Sequence, residues 1–372
     1  MKAPLPPLDA IPSTIAAVAD YIPFARERMT PSAWAYLDGA AADGLTRQDN
    51  QDAYGRLKLN PRVLRNLAGG HTRLELFGLA LDYPILLAPV AYHRLAHPHG
   101  EYAAALGAAA MKAAMVLSTQ ASTSLEDVAA HAHAPPLWFQ LYIQQDRDFT
   151  QSLVARAEKA GYRALVLTVD APVNGVRNAE QRCGFTLPLD VTAVNLAGRR
   201  QARSAVANAG ESAVFGGELL HGSATWDDVA WLRSATRLPI LLKGVLHPDD
   251  AVQALEQGVD GIIVSNHGGR TLDTLPATID ALPAIAAAVA GRAPVLLDGG
   301  IRRGTDILKA LALGAKAVLI GRAYIYGLAA AGAPGVAHVL HVLRSELEVA
   351  MALSGCRTLA DITPDILWRS AR

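Results

Sequence analysis

The chain has 372 residues, 51% hydrophobic and 18% charged, and a formal net charge of zero. This composition supplies ample material for a core and gives no electrostatic reason to expect a nucleic-acid partner. Cys183 and Cys356 are too few for a disulfide framework, and the N-terminus lacks a signal-peptide pattern, so we expect a cytoplasmic protein. Gly, Pro, Asp or Arg interrupts every apolar run, which predicts no membrane span.

The chain order of apolar runs predicts the fold. Residues 1–80 carry helical spacing over 15–28 and 31–43, which predicts an N-terminal helical cap. After it, short apolar runs bounded by Gly or Pro alternate with Ala/Leu-rich helical segments. The eight runs are 83–88, 115–118, 137–142, 164–169, 240–243, 261–265, 294–298 and 317–320. Such runs suit parallel strands buried on both faces, so we predict one α/β domain over 1–372, an eight-stranded (β/α)8 TIM barrel.

Two further segments complete the predicted domain. Residues 188–225 are rich in Ala, Gly, Arg and Ser and interrupt the spacing of the units after the fourth strand. A long insertion of this kind predicts a mobile lid loop. Residues 333–353 have the Ala/Leu/Val pattern of a closing helix.

Polar residues that end the predicted strands are candidates for chemistry, because barrel active sites lie at the carboxyl ends of the strands. The sixth run is followed by His267 and Arg270, which can take a proton and bind a carboxylate. The fifth run ends in Lys243, whose ammonium group must face an anion or an electron-rich ring, unless it reaches solvent past the barrel rim.

Glycines and arginines follow the last two predicted strands. The seventh run leads into Asp298-Gly299-Gly300-Ile301-Arg302, and the eighth into Gly321-Arg322. Glycines let backbone amides approach a phosphate, and these two loops are where β/α barrels bind one. The alternative is that the glycines only form tight turns.

The segments Ser265-Asn266-His267-Gly268-Gly269-Arg270, Leu242-Lys243-Gly244 and Asp298-Gly299-Gly300-Ile301-Arg302-Arg303-Gly304 resemble the FMN-dependent 2-hydroxy acid oxidase and dehydrogenase family. That family includes glycolate oxidase, lactate oxidase and mandelate dehydrogenase. The resemblance spans residues 36–354. It implies oxidation of a small L-2-hydroxy acid to the 2-oxo acid, with dioxygen or another electron acceptor, in a homotetramer.

The resemblance also implies residue roles. His267 would be the base facing the substrate α-carbon, with Asp170 stabilising the imidazolium. The substrate would be held by Arg270, Arg177, Tyr36 and Tyr142. Lys243 would stabilise negative charge on the reduced flavin. The remaining implied FMN contacts are Pro89, Val90, Ala91, Ser118, Gln140 and Thr168 at the ring, Ser265 and Asp298 at the ribityl chain, and Gly300, Arg302, Gly321 and Arg322 at the phosphate.

Two positions bear on specificity and on the acceptor. Position 120, often aromatic in the family, is Gln120, so with Tyr142 and the 188–225 loop it is expected to decide substrate size. The residue equivalent to Ala91 is often Ala in oxidases and Gly in dehydrogenases, which favours an oxidase over a dehydrogenase that uses a quinone or another acceptor.

Other classes of protein remain to be weighed. A metal-dependent barrel hydrolase is suggested by the His-x-His pairs at 97–99 and 131–133 together with Asp298. These pairs do not lie at strand ends, which argues against a metal site. An FMN-dependent isomerase or a non-catalytic relative would not need the complete set of His267, Arg270, Arg177 and Asp170.

Overall fold

The computed structural model describes residues 3–131, 134–199, 212, 214–215, 220 and 223–368. Its strands are β1 (Leu74–Leu76), β2 (Leu79–Leu81), β3 (Ile85–Leu87), β4 (Met115–Ser118), β5 (Leu137–Leu141), β6 (Leu165–Thr168), β7 (Ile240–Val245), β8 (Gly261–Val264), β9 (Val295–Leu297) and β10 (Ala317–Ile320). Its α-helices are α1 (Tyr21–Arg28), α2 (Pro31–Asp38), α3 (Leu45–Arg56), α4 (Gly100–Ala110), α5 (Leu125–Ala130), α6 (Arg147–Lys159), α7 (Asn178–Arg182), α8 (Trp226–Ala235), α9 (Pro248–Glu256), α10 (Thr278–Val289), α11 (Gly304–Ala312) and α12 (Arg322–Leu353).

The strands β3 to β10 form a closed parallel barrel in the order β10-β3-β4-β5-β6-β7-β8-β9. All eight predicted strands are present, and the predicted TIM barrel is confirmed. Helices on the outside cover the apolar outer faces of the strands. The strand β7 extends two residues past the predicted run, and its register with β8 shifts between Lys243 and Val245.

Side chains alternate along each barrel strand between the helix layer and the barrel interior, as the pleat of a strand requires. The interior layer is apolar and is formed by Leu86, Val116, Trp138, Val166, Leu241, Ile263, Leu296 and Leu319. Two residues farther along several of these strands, on the same face, stand polar residues such as Gln140, Thr168 and Lys243. The period of two therefore places a polar layer directly above the apolar one.

The N-terminal segment contains strands in addition to helices. It contains α1, α2 and α3, but β1 and β2 form an antiparallel hairpin with positive φ at Phe77 and Gly78 in its turn. The Phe77 ring lies 5.7 Å from the Trp138 ring at 71°, and its Cζ atom lies 2.9 Å from the position of a Cβ built on Gly261. The hairpin thus packs on the amino-terminal end of the barrel interior.

The closing helix begins earlier than predicted, at Arg322, and bends at Ala331 and Gly332. Within the described residues α12 is long and apolar enough to span a bilayer by length and composition, but 72% of its most apolar window is buried inside the protein. Its packing against α4, α11 and α1 accounts for that hydropathy.

Much of the predicted lid, 188–225, lies outside the described residues. Its described part includes the 3₁₀ turn Val194–Leu196.

Candidate active site

A cavity of about 1370 Å³ opens at the carboxyl ends of the barrel strands. It is lined by every predicted site residue except two, Asp170 and Ser265. Those two lie behind the cavity wall and contact residues that line it. The structure therefore brings the predicted catalytic, substrate and cofactor residues together in one place.

The predicted base, His267, lies against a carboxylate. Its Nδ1 atom is 2.8 Å from Oδ1 of Asp170. Burial acts to raise the pKa of Asp170, but His267 and then Lys243 outweigh burial and lower it below its ordinary value. Because an ionised carboxylate can only accept, Nδ1 carries the proton and Nε2 is free to take one.

The backbone that carries His267 is held in an uncommon conformation. His267, Gly268 and Gly269 all have positive φ, which is costly for a residue with a Cβ atom. The preceding Asn266 exchanges two amide hydrogen bonds of 2.9 Å with Asn50 of α3. The N-terminal segment therefore fixes the loop that presents the base.

Lys243 is buried at the end of a barrel strand and is paired. Its Nζ lies 3.0 Å from Oδ2 of Asp298 and donates to Oγ of Ser265 at 2.9 Å. Burial alone would lower the pKa of Lys243, but the Asp298 and Asp170 carboxylates raise it above its ordinary value. The cavity wall thus holds an ammonium group paired with Asp298, and the alternative of a side chain reaching solvent is wrong, since Lys243 is 3% exposed.

The two predicted substrate arginines meet one carboxylate. Arg177 donates to Oε1 of Glu180 at 3.0 Å, and Arg270 lies 3.8 Å from the same oxygen. The Arg270 guanidinium also lies 5.3 Å from the centroid of the Tyr36 ring. Burial, and next the Arg177 guanidinium, lower the pKa of Arg270 to about 10. The two neighbouring guanidinium groups create a positive potential in the cavity, and an anionic substrate would neutralise it.

The two predicted hydroxyl donors keep their protons. Burial raises the pKa of Tyr142, and the nearby Asp170 raises it further. Burial also raises the pKa of Tyr36, against the opposing effect of Arg270 and Arg177. The Tyr36 ring stacks on Phe185 at 4.8 Å. Both phenols are therefore neutral donors beside the arginines.

Buried polar atoms without a partner test whether FMN fits this cavity. Among the described residues these atoms include Nε2 of Gln140, Oδ1 of Asp298 and Nε of Arg322. The amide group of Gln140 is held in one orientation, because its Oε1 atom accepts hydrogen bonds from the Ser118 hydroxyl and from the Thr119 backbone amide. Unpaired buried polar groups are rare, so a polar ligand that fills the cavity would satisfy them.

The predicted phosphate loops converge on the start of α12. Arg302, Gly321 and Arg322 line the cavity, and a helix N-terminus attracts anions. Gly300 has a φ of 80°, and a Cβ atom there would lie 1.9 Å from the carbonyl oxygen of Asn50. Burial, then Arg270 and Arg47, lower the pKa of Arg322 to about 9. Residues and charge therefore fit a cofactor phosphate.

The metal-hydrolase alternative finds no support in the described part of the chain, where no three His, Cys, Asp or Glu side chains are grouped so that they could hold one metal ion. His97, His99 and His131 line a separate cavity of about 730 Å³. Residues 132 and 133 of the second histidine pair lie outside the described residues. Asp298 pairs with Lys243 instead.

The sequence prediction missed several cavity residues. Glu180 lies three residues after Arg177 on the same helical turn, and this spacing is the signal that could have identified it. Phe185, Tyr92 and Arg199 also line the cavity. The side chain of Arg199 donates to Gln144 Oε1 at 3.0 Å. No pattern in the sequence distinguished these residues.

Fold and site together are those of a barrel enzyme whose cavity fits a phosphorylated cofactor and a small anion. The sequence profile of FMN-dependent dehydrogenases matches residues 25–369. An L-lactate oxidase of Alicycliphilus denitrificans is 48% identical over 364 residues, 98% of this chain and 99% of that protein. Glycolate oxidase 1 of Oryza sativa subsp. japonica is 44% identical over 96% of each chain. A structure of mandelate oxidase with (S)-2-phenylpropionate has a TM-score of 0.85 and 40% identity, and covers 95% of this chain and 98% of that one.

The chain belongs to the FMN-dependent dehydrogenase family. Its cofactor is FMN, and it is an enzyme of the FMN-dependent 2-hydroxy acid oxidase type, as the sequence predicts.

Proposed function

We propose that the protein oxidises a short L-2-hydroxy acid of the lactate class and passes the electrons to dioxygen. One hydroxy acid and one dioxygen then give one 2-oxo acid and one hydrogen peroxide. The observation that carries the proposal is that His267, whose Nδ1 lies 2.8 Å from Oδ1 of Asp170, lines the same cavity as Arg177 and Arg270. Three relatives named L-lactate oxidase, each 48% identical, support the substrate class and the acceptor.

In the proposed mechanism, Arg270 and Arg177 bind the substrate carboxylate and thereby orient the α-carbon. Tyr36 and Tyr142 donate hydrogen bonds to the carboxylate or the 2-hydroxyl. His267 takes the proton that the substrate releases, through its free Nε2 atom. When bound, FMN would accept the two electrons and the second hydrogen that the hydroxy acid loses.

Two carboxylate contacts, one to His267 and one to Lys243, support these steps. The Asp170 carboxylate holds the His267 ring in one orientation and stabilises the imidazolium after proton transfer. The Lys243 ammonium group adds a fixed positive charge at the predicted position of the flavin, and Asp298 keeps that charge in place. Both arrangements exist before substrate arrives, so little reorganisation is required during the reaction.

The acceptor and the substrate can be tested in one experiment. The purified FMN-loaded protein is mixed under nitrogen with L-lactate, D-lactate, glycolate or L-mandelate, and air is then admitted. We expect the flavin absorbance to bleach fastest with L-lactate and to return rapidly, with one peroxide formed for each lactate. Slow return in air, with fast return on adding a quinone, would make the protein a dehydrogenase. Fastest bleaching with L-mandelate would contradict the lactate class.

We further propose that the protein is a cytoplasmic homotetramer. Large exposed apolar side chains, including Leu353 and Trp368, offer surface for association. Sedimentation of the purified holoenzyme, together with fractionation of the source cells, tests both points; a monomer would contradict the first and a membrane or secreted fraction the second.

A further inference from the structure

A buried polar network lies directly behind one wall of the cavity, and the proposed mechanism does not use it. Its members are His93, Glu101 and Tyr324, which are respectively 1%, 0% and 0% exposed. Burying an imidazole and a carboxylate is costly unless their hydrogen bonds are satisfied. A network that is costly to bury needs a reason, and its place behind the cavity wall suggests where to look for that reason.

The Tyr324 hydroxyl joins the two ends of the turn 88–93. It donates to the carbonyl oxygen of Ala88 at 2.9 Å and lies 3.0 Å from Nε2 of His93. Because a hydroxyl has one proton and a carbonyl can only accept, Nε2 of His93 must be the donor in the second bond. Burial lowers the pKa of His93, which agrees with a neutral ring. Residues 89–92, between the two fixed ends, line the cavity.

The Glu101 carboxylate joins this turn to its neighbour. It accepts from the His93 amide at 3.1 Å, the Ser122 amide at 2.8 Å, the Ser122 hydroxyl at 2.7 Å and the Thr123 hydroxyl at 2.9 Å. The Ser122 turn follows β4, whose end also lines the cavity. The two turns are linked directly as well, since the Tyr92 amide donates to the Gln120 carbonyl at 3.1 Å. One carboxylate thus holds two adjacent parts of the cavity wall.

We propose that Tyr324, His93 and Glu101 are positioning residues for the cofactor: they hold the turn 88–93 in the shape that binds the flavin ring. The inference rests on the proposed function and on the family resemblance, which implies that the ring lies against Pro89, Val90 and Ala91 in this cavity. A purely structural network would contribute to folding without affecting the affinity of the folded protein for FMN. The two roles therefore differ in a measurable quantity.

The direct test compares Tyr324→Phe with a matched control, Tyr162→Phe. Tyr162 is also buried, at 2% exposed, and its hydroxyl donates to the Leu125 carbonyl at 3.0 Å, outside the cavity. FMN is titrated into each apoprotein by fluorescence, with no substrate present. We expect the dissociation constant to rise about tenfold in Tyr324→Phe and to stay within about twofold in Tyr162→Phe. Equal dissociation constants in the two variants would overturn the proposal.

A pair of variants at His93 gives an independent test if Tyr324→Phe does not fold. His93→Gln keeps an N–H donor for the Tyr324 hydroxyl, whereas His93→Leu is of similar size and has none. We expect FMN affinity close to wild type in the first and about tenfold weaker in the second. The same affinity in both would overturn the proposal. Failure of the wild-type apoprotein to bind FMN would instead overturn the proposed function.

Discussion

The two ends of the barrel are built from the same eight strands and have opposite chemistry. At the amino-terminal end, the β1–β2 hairpin and the Phe77 ring pack on an apolar interior layer around Trp138. At the carboxyl end, the same strand faces present Lys243 and Asp298, which are charged, buried and paired. A step of two residues along a strand therefore separates the side chains that pack the interior from the side chains that form the site. Changes at one end should affect stability, and changes at the other should affect turnover.

The largest expected effect is at the carboxyl end. His267→Ala should lower the rate of flavin reduction by L-lactate about 10³-fold, because a positioned general base contributes that order of magnitude. FMN binding should change little, because His267 is not among the predicted cofactor contacts, whereas stability should fall, because the buried Asp170 carboxylate loses its hydrogen-bond partner. Anaerobic stopped-flow absorbance measures the rate. Reduction at the wild-type rate would remove His267 from the mechanism.

Phe77→Ala tests the opposite end. Loss of the half-buried ring should lower the free energy of unfolding by about 2–4 kcal/mol, because a cavity replaces the contact with Trp138. Turnover of the folded fraction should be unchanged. Urea unfolding and kcat on the same samples give both quantities. A fall in kcat with no change in stability would show that the two ends are not separate in function.

Glu180→Gln should have a moderate effect at the carboxyl end. The amide oxygen can still accept from Arg177, but the negative charge between Arg177 and Arg270 is lost. The more positive site should bind an anion more tightly, and we expect the inhibition constant of oxalate to fall roughly three- to tenfold. Glu180→Ala, which also removes the acceptor, serves as the comparison. Weaker oxalate binding in Glu180→Gln would mean that Glu180 acts through geometry more than through charge.

The smallest expected effect is the pH dependence of stability from Asp170. Its pKa is lowered from an ordinary value of 3.8, so the folded state binds this proton less readily than the unfolded chain. The resulting stabilisation is complete above the ordinary value and is lost as the pH falls through the lower folded pKa. Between about pH 6 and about pH 3, Asp170→Asn should therefore lose less stability than wild type. Parallel losses would exclude this contribution.

Much of the site was predictable because the barrel imposes a simple rule. Each apolar run leads into residues that must lie at the mouth of the barrel, so the sequence alone places His267, Lys243 and Asp298 together. The hairpin at 74–81 was not predictable in the same way. Its turn residues are Phe77 and Gly78, a much weaker hairpin signal than Asn-Gly, and its short strands are stabilised by the barrel they cover.

The sequence by itself determined the barrel, the flavin family and the residues at the strand ends, because these depend on local periodicity and on motifs within a few positions. Only the tertiary structure decided which buried polar groups pair with one another. The Asn50–Asn266 amide pair joins residues 216 positions apart, and Tyr324 contacts His93 across 231 positions. Such partners are chosen by packing in three dimensions, and no pattern along the chain records them.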